Sequence, residues 1–261
     1  MTSFMQIDSV HSWNKPGANE IFEPMQGLKQ ELELLDLVAT NKLESGCRIW
    51  RCHRAMVVPT SISKKPGFAR ASQALADQGW PVIIRKTGGD LVPQSPGLLN
   101  VSFAFRQKRE RGSIHETYQA LCRPLITAFN KLGIDAYSAS VPGAFCDGEY
   151  NLVVEGQKLA GTAQRWRRIS SSHGENGGFA VLVHAVILCR DELPQLWRAA
   201  NDFYRHCGID QYVEYTKHVS VSDLLPESQV FSNDAFISTI SKAIYEELWL
   251  SDKEYESQRI L

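Results

Sequence analysis

The chain has few of the signatures that would settle its chemistry at a glance. It contains no C-x-x-C pair: its six cysteines, at 47, 52, 122, 146, 189 and 207, are scattered. That spacing gives no disulfide framework, and the C-x4-C-H run at Cys47, Cys52 and His53 lacks the second cluster a zinc site needs. Free thiols in a reducing compartment are expected. No stretch approaches the roughly 18 to 20 consecutive apolar residues of a membrane-spanning helix. The opening MTSFMQIDSVHSWNKPG lacks the basic flank and apolar run of an export signal, so a cytoplasmic location is expected. Neither sign of charge dominates: 28 Lys and Arg stand against 29 Asp and Glu, a net charge of -1. That balance argues against a nucleic-acid or membrane-surface partner. The local basic clusters at Lys64-Lys65, Arg106 to Arg111 and Arg165 to Arg168 read as solvated faces. Repeats, low-complexity segments, a Walker loop, a GxGxxG turn and a Ser/His/Asp triad are all missing.

What is there is the composition of a soluble globular protein, 43% hydrophobic and 22% charged over 261 residues. One domain over 1–261 is expected, with a core at about 22–210 and a helical extension at about 211–261. Met25, Leu28, Leu32, Leu35 and Val38 recur at helical steps and predict a helix over 24–41. A strand is predicted from Arg48 to Val58, a helix over 67–78 closed by Gly79, and strands at 81–85 and Leu98 to Phe105. Ser113 with Glu116 forms a capping box. It opens a helix whose stripe is Ile114, Tyr118, Leu121, Leu125, Phe129 and Leu132, ended by Gly133. Tyr150 to Val154 pairs with Lys158 to Gln164 across Glu155-Gly156 as a hairpin. A buried strand at 178–189 and helices at 192–207 and 230–250 complete the pattern. Without strict βαβ alternation, the pattern favours an α+β fold around a central mixed, mainly antiparallel sheet flanked by helices.

The segment PGAFCDGEYNLVVEGQKLAGTAQRW, residues 142–166, carries the most chemistry. Cys146 opens a polar turn and leads into the first hairpin strand; Lys158 opens the second. Folding the hairpin could bring thiol and ammonium together. A free thiol is only a few per cent thiolate at neutral pH, and a nearby ammonium raises that fraction. The residues alone leave two readings open for each: nucleophile or inert half-buried thiol for Cys146, working cation or solvated charge for Lys158. The small residues after Lys158 suit a place where backbone approaches a ligand closely. Arg85-Lys86-Thr87-Gly88-Gly89-Asp90 puts a glycine pair straight after a strand, where backbone N–H groups can face a phosphate, a carboxylate or an acyl carbonyl. His184, in an apolar strand, and His53 read as hydrogen-bonded core histidines.

Together these segments resemble the biotin/lipoate protein ligase and lipoyl/octanoyl transferase superfamily, over roughly Phe22 to Leu193. Tyr150 to Arg165 is similar to its pattern of a strand, a turn glycine, an essential lysine and then G-[ST]-A-Q-R. Arg85 to Gly89 is similar to its R-R-x-[ST]-G-G loop, and Leu98 to Phe103 to the strand that follows. The resemblance implies a class II biotinyl/lipoyl protein ligase-like fold. It implies site roles for Lys158, Arg85, Thr87, Gly88, Gly89, Asn151, Gly161, Thr162 and Ala163, and an acyl tunnel, for which the apolar strand positions of Leu98, Val153 and Val183 make them candidate walls. Phe145 to Leu152 is similar to the C-P-G-x-Y-D-L segment of cysteine-dependent octanoyl amidotransferases, in which the cysteine is the nucleophile. Asp147 stands in place of that proline and Asn151 in place of that aspartate.

Lipoate–protein ligases continue the glycine loop as G-G-G-x-V-x-H, whereas Asp90 to Gln94 supplies neither the third glycine nor the histidine. The nearest likeness is therefore to the amidotransferases: transfer of an octanoyl or lipoyl group to a lysine of a lipoyl-carrier domain, through a thioester on Cys146 and without a cofactor. The alternative is a ligase using ATP and Mg²⁺, with Lys158 holding a lipoyl-AMP and Cys146 a bystander. A third reading, of another class, is a non-catalytic binder of lipoyl domains. A metal site of the protein's own is not expected. The partners implied are lipoyl domains of 2-oxoacid dehydrogenase acyltransferase subunits, the glycine cleavage carrier protein, or acyl carrier protein.

Overall fold

The computed structural model describes residues 11–13, 20–86, 88–108, 114–169, 178–190, 193–230 and 232–257. Ser113 and Thr87, and with Ser113 the expected capping box, lie outside the described residues. The elements in the first half are β1 (His11–Trp13), β2 (Ile21–Phe22), α1 (Pro24–Ala39), β3 (Ser45–Cys52) and β4 (Ala55–Pro59). Next come α2 (Thr60–Ser63), α3 (Phe68–Ala76), β5 (Val82–Arg85), β6 (Val92–Gln94) and β7 (Leu98–Lys108). The second half holds α4 (Ile114–Lys131), β8 (Tyr137–Ala139), β9 (Asn151–Val154), β10 (Gln157–Arg168) and β11 (Gly178–Leu188). It closes with α5 (Leu193–Cys207), α6 (Val221–Leu224) and α7 (Asn233–Ser257).

The large sheet runs β1-β3-β7-β11-β10-β9-β8, with β2 also on β3. From β3 to β8 every pairing is antiparallel, and β1 and β2 lie parallel to β3. A small sheet, β5-β4-β6, combines one parallel and one antiparallel pairing. The fold is thus α+β around a mixed, mainly antiparallel sheet, as the pattern of elements predicts.

Alternation along β11 sorts the interior into layers. Val181, Val183, Ala185 and Ile187 pack with Leu121, Leu125 and Phe129 of α4 and with Phe236, Ile240 and Ile244 of α7. On the opposite face Ala180 and Leu182 meet Leu34, Leu35 and Val38 of α1. Further along that face, Val186 and Leu188 join Leu98, Met56, Leu75, Trp197 and Phe203 beneath the small sheet. Val183 therefore belongs to the α4/α7 layer, away from the face that carries Lys158, and the expected tunnel role for it is corrected.

Two other expectations shift. The apolar run from Arg48 to Val58 is two strands in different sheets, because exposed His53 and Arg54 turn the chain between them; His53 is not a core histidine. The buried face of α1 is Pro24, Gly27, Glu31, Leu34, Leu35 and Val38, while Met25 is exposed. Gly27 is needed because a Cβ there would lie 2.1 Å from the Trp50 ring. Glu31 is tolerated inside because Ser102 Oγ donates to it at 2.5 Å and His184 Nδ1 lies 3.2 Å away. His184 is the hydrogen-bonded core histidine the sequence suggested.

A cysteine loop gripped by a buried lysine

The hairpin forms as the Glu155-Gly156 pair dictates. Both residues take positive φ, 48° and 78°, as the tight two-residue turn between right-twisted strands requires. The ladder then slips between Lys158 and Ala160. Such a bulge re-aims a side chain. Lys158 thereby points to the face occupied by Gly161: a Cβ at Gly161 would sit 3.1 Å from Nζ and 3.2 Å from Cε. Gly161 is what leaves the lysine room.

Lys158 is wholly buried. Its Nζ donates to the carbonyls of Phe145 at 2.6 Å and Cys146 at 2.9 Å, and lies 4.1 Å from the centre of the Phe145 ring. Burial pushes its pKa down to about 8, against the opposing pull of the Cys146 and Asp147 charges. The bland possibility of a solvated surface lysine is excluded.

Cys146 is the one cysteine of the six that is not buried. It holds φ at 42°, a left-handed conformation unusual for a side chain with a Cβ. Its sulfur accepts a hydrogen bond from the Asp90 N–H at 3.1 Å. That amide is presented by Gly89 at φ 96°, where a Cβ would fall 2.6 Å from Arg85 Nη2 and 3.0 Å from Cys146 Sγ. Arg85 is buried, its Nη2 donating to the Asp90 carbonyl at 3.0 Å while Nε has no partner among the described residues. The glycine loop and the cysteine loop thus meet at the sulfur. Gly88 is exposed, and among the described residues nothing lies near its missing Cβ.

The two departures from the cysteine motif turn out to be one interaction. Asp147 Oδ1 accepts from Asn151 Nδ2 at 2.7 Å, and also from the N–H groups of Val141 at 2.7 Å and Gly148 at 2.8 Å. Ala163 faces His184 across the β10–β11 pair. Thr162 is out of phase with Gly161 and Ala163, and its hydroxyl donates to the Tyr150 carbonyl at 2.8 Å. Leu98 packs with Phe145 and Val186, and Val153 with Val141 and Ala144, so both border the cysteine loop. Arg165 ties β10 to the glycine loop through the Lys86 carbonyl at 3.0 Å.

Sequence reasoning missed His218. It is buried, its Nε2 accepts the Phe145 N–H at 3.1 Å, and its ring stacks on Trp197 with centroids 4.0 Å apart. An open cleft of about 480 Å³ lies beside it, bordered by Gln157, Leu193, Arg198 and Tyr215, and does not include Cys146. Among the described residues no three His, Cys, Asp or Glu side chains gather as metal ligands, and no helix is long and apolar enough to cross a membrane.

A mixed sheet whose bulged hairpin seats a buried lysine under a cysteine loop defines an α+β protein with a thiol–lysine site. The model of the lipoyl protein ligase A/B catalytic domain matches residues 23–244, and the chain belongs to that family. An uncharacterized protein of Cupriavidus necator is 34% identical over 250 residues, 92% of this chain and 95% of that one. An octanoyl-[GcvH]:protein N-octanoyltransferase of Kyrpidia tusciae is 36% identical over 126 residues, 48% of this chain and 43% of its own length. A crystal structure of lipoate–protein ligase A bound with ATP superposes with a TM-score of 0.58 at 17% identity, covering 85% of this chain and 81% of that one. At that identity the likeness concerns the fold.

Proposed function

We propose that the chain transfers an octanoyl or lipoyl group to a lysine of a lipoyl-carrier domain, through a thioester on Cys146. The observation that carries this reading is the sulfur itself. It is part-exposed, held in a left-handed turn, given the Asp90 N–H, and set one peptide from a buried ammonium. A hydrogen-bond donor on the sulfur and a positive charge held close to the same turn favour a thiolate nucleophile.

The Cys146 thiolate adds to the donor's acyl carbonyl carbon. The new S–C bond forms as the donor's C–N or C–S bond breaks, and the departing amine or thiol takes up a proton. The neutral amine of the acceptor lysine then attacks the thioester; the C–N bond forms as the C–S bond breaks, the thiolate returns, and the amine gives up to solvent one proton, matching the one taken up by the departing group. Lys158 uses two of its three N–H bonds on the Phe145 and Cys146 carbonyls. The third, and the positive charge, serve the oxygen on which negative charge develops. The similarity to an octanoyl-[GcvH]:protein N-octanoyltransferase favours the glycine cleavage carrier protein as donor; lipoyl domains of 2-oxoacid dehydrogenase acyltransferase subunits are the acceptors this reading takes.

No cofactor enters these steps. ATP and Mg²⁺ would be needed by a ligase, but the loop fits a nucleotide poorly. Where that pattern has a glycine, Asp90 brings a carboxylate, tied by its Oδ2 to Gln211 at 2.7 Å. The test is intact-protein mass after incubation with octanoyl-GcvH, and separately with octanoate, ATP and Mg²⁺, for wild type and Cys146→Ser. A hydroxylamine-labile octanoyl adduct on wild type alone is expected. AMP release unaffected by Cys146→Ser would make the protein a ligase. Carrier binding with neither product would make it a non-catalytic binder.

A further inference from the structure

We propose that His218 is a positioning residue for Cys146, acting through the main-chain amide of Phe145; the proposal rests on the thioester reading above. The histidine's state follows from its two partners. Nδ1 lies 2.9 Å from the Glu214 carbonyl, which can only accept, so Nδ1 carries the proton. Nε2 is left with its lone pair and accepts the Phe145 N–H at 3.1 Å. The ring is fixed against two aromatic neighbours: Trp197 at 4.0 Å and 29°, and Phe145 at 5.3 Å and 22°. Phe145 and Trp197 also stack on each other, at 4.9 Å and 25°.

The turn bearing Cys146 is therefore held on both sides of Phe145 by different parts of the chain. Lys158 of β10 takes the carbonyls of residues 145 and 146, and His218 takes the preceding N–H. Phe145 N–H is buried and would otherwise be orphaned, so the left-handed turn at Cys146 depends on that acceptor. The strap that carries His218 also reaches the other loop. Gln211 Nε2 donates to Asp90 Oδ2 at 2.7 Å, and the Asp90 N–H is the one on the sulfur. Glu214 N–H donates to the Gly143 carbonyl at 3.0 Å, just before the cysteine turn. Residues 211–218 thus span both halves of the site, and their hold on the sulfur passes through main-chain groups.

Two substitutions separate positioning from packing. His218→Gln keeps an acceptor near the Nε2 position; His218→Asn keeps only a group near Nδ1. Both remove the stacked ring, so a purely structural role would lower thermal stability in both and leave the sulfur's reactivity equal. The reading is the rate of Cys146 alkylation by iodoacetamide at pH 7, located by peptide mass, which the five buried cysteines do not confuse. His218→Asn is expected to react roughly tenfold more slowly than wild type and His218→Gln within about twofold, with kcat for octanoyl transfer following the same order at unchanged KM for the carrier. A folded His218→Asn that alkylates at the wild-type rate overturns the proposal. Should the histidine variants not fold, Gln211→Ala, at an exposed position, decides. A fall of about threefold in alkylation supports the strap's role, and an unchanged rate rejects it. Alkylation needs no acyl donor, so loss of the thioester reading and loss of this proposal give different results.

Discussion

Gly88 and Gly89 are neighbours in the chain and opposites in what they tolerate. A Cβ on Gly88 meets nothing within 4 Å among the described residues, whereas one on Gly89 would be forced onto a backbone at φ 96° and against Arg85 and the Cys146 sulfur. Gly88→Ala is expected to change stability by less than about 1 kcal/mol and to leave Cys146 as reactive as before. Gly89→Ala should cost roughly 1–3 kcal/mol of stability and slow acyl transfer by about a hundredfold, as denaturant titration and steady-state rates can show. Lys158 makes the second prediction at this scale. Its folded pKa lies near 8, below its ordinary 10.5. Between those two values the unfolded chain binds a proton that the folded chain has released, so stability rises with pH across that window, by roughly 3 kcal/mol in total. The neutral amine keeps two N–H bonds for the two carbonyls, so the turn survives deprotonation while the charge does not. Transfer should therefore fall above about pH 8 as the fold grows firmer. Urea unfolding at pH 8 and pH 10 checks the sign, and Lys158→Met should lose this share of the slope.

The elements around the site were partly legible before the structure. Glu155-Gly156 between two apolar runs announces a hairpin, and the hairpin is there, but nothing in the residues announces the slip between Lys158 and Ala160 that turns the lysine inward. A bulge is a register event between strands, and the residue string records only one strand at a time. Likewise Glu31 and Gly27 hid the true face of α1, because a buried carboxylate and a glycine do not count as apolar. The Asp147–Asn151 contact shows the opposite case. Two positions that read as separate departures from a motif are hydrogen-bonded at 2.7 Å, four residues apart, one on the loop and one at the start of β9. A double-mutant cycle with Asp147→Ala and Asn151→Ala should return a coupling energy of about 1–2 kcal/mol in chemical denaturation. Asp147→Ala should be the costlier single change, since it also strands the Val141 and Gly148 N–H groups. Additive single effects would mean that the loop is held without this contact.

Across the whole molecule, the site is assembled from segments far apart in sequence. The glycine loop follows β5, the cysteine loop precedes β9, Lys158 is the second residue of β10, and His218 follows α5. The first three carry residue patterns that can be read locally. The fourth does not, because its meaning is a contact across 73 residues with a main-chain amide that has no side-chain signature. Its long reach has a thermodynamic consequence that the local patterns lack. His218 is buried, and burial first, then the charge of Lys158, pull its pKa down from 6.5 to about 3. The folded protein holds it neutral, whereas the unfolded chain protonates it below 6.5. Its contribution is present in full above pH 6.5 and is lost as the pH falls toward 3, on the order of 5 kcal/mol over the whole range. About half of that, roughly 2–3 kcal/mol, disappears between pH 7 and pH 4.5. Carboxylates also lose stabilising charge in acid, but they are common to wild type and His218→Gln and cancel in the difference. Wild type should therefore lose about 2–3 kcal/mol more than His218→Gln between urea titrations at pH 7 and pH 4.5. A difference near zero would mean that the imidazole accepts a proton inside the fold. It would then have no lone pair for the Phe145 N–H, and the hold on the cysteine turn would have to come from Lys158 alone.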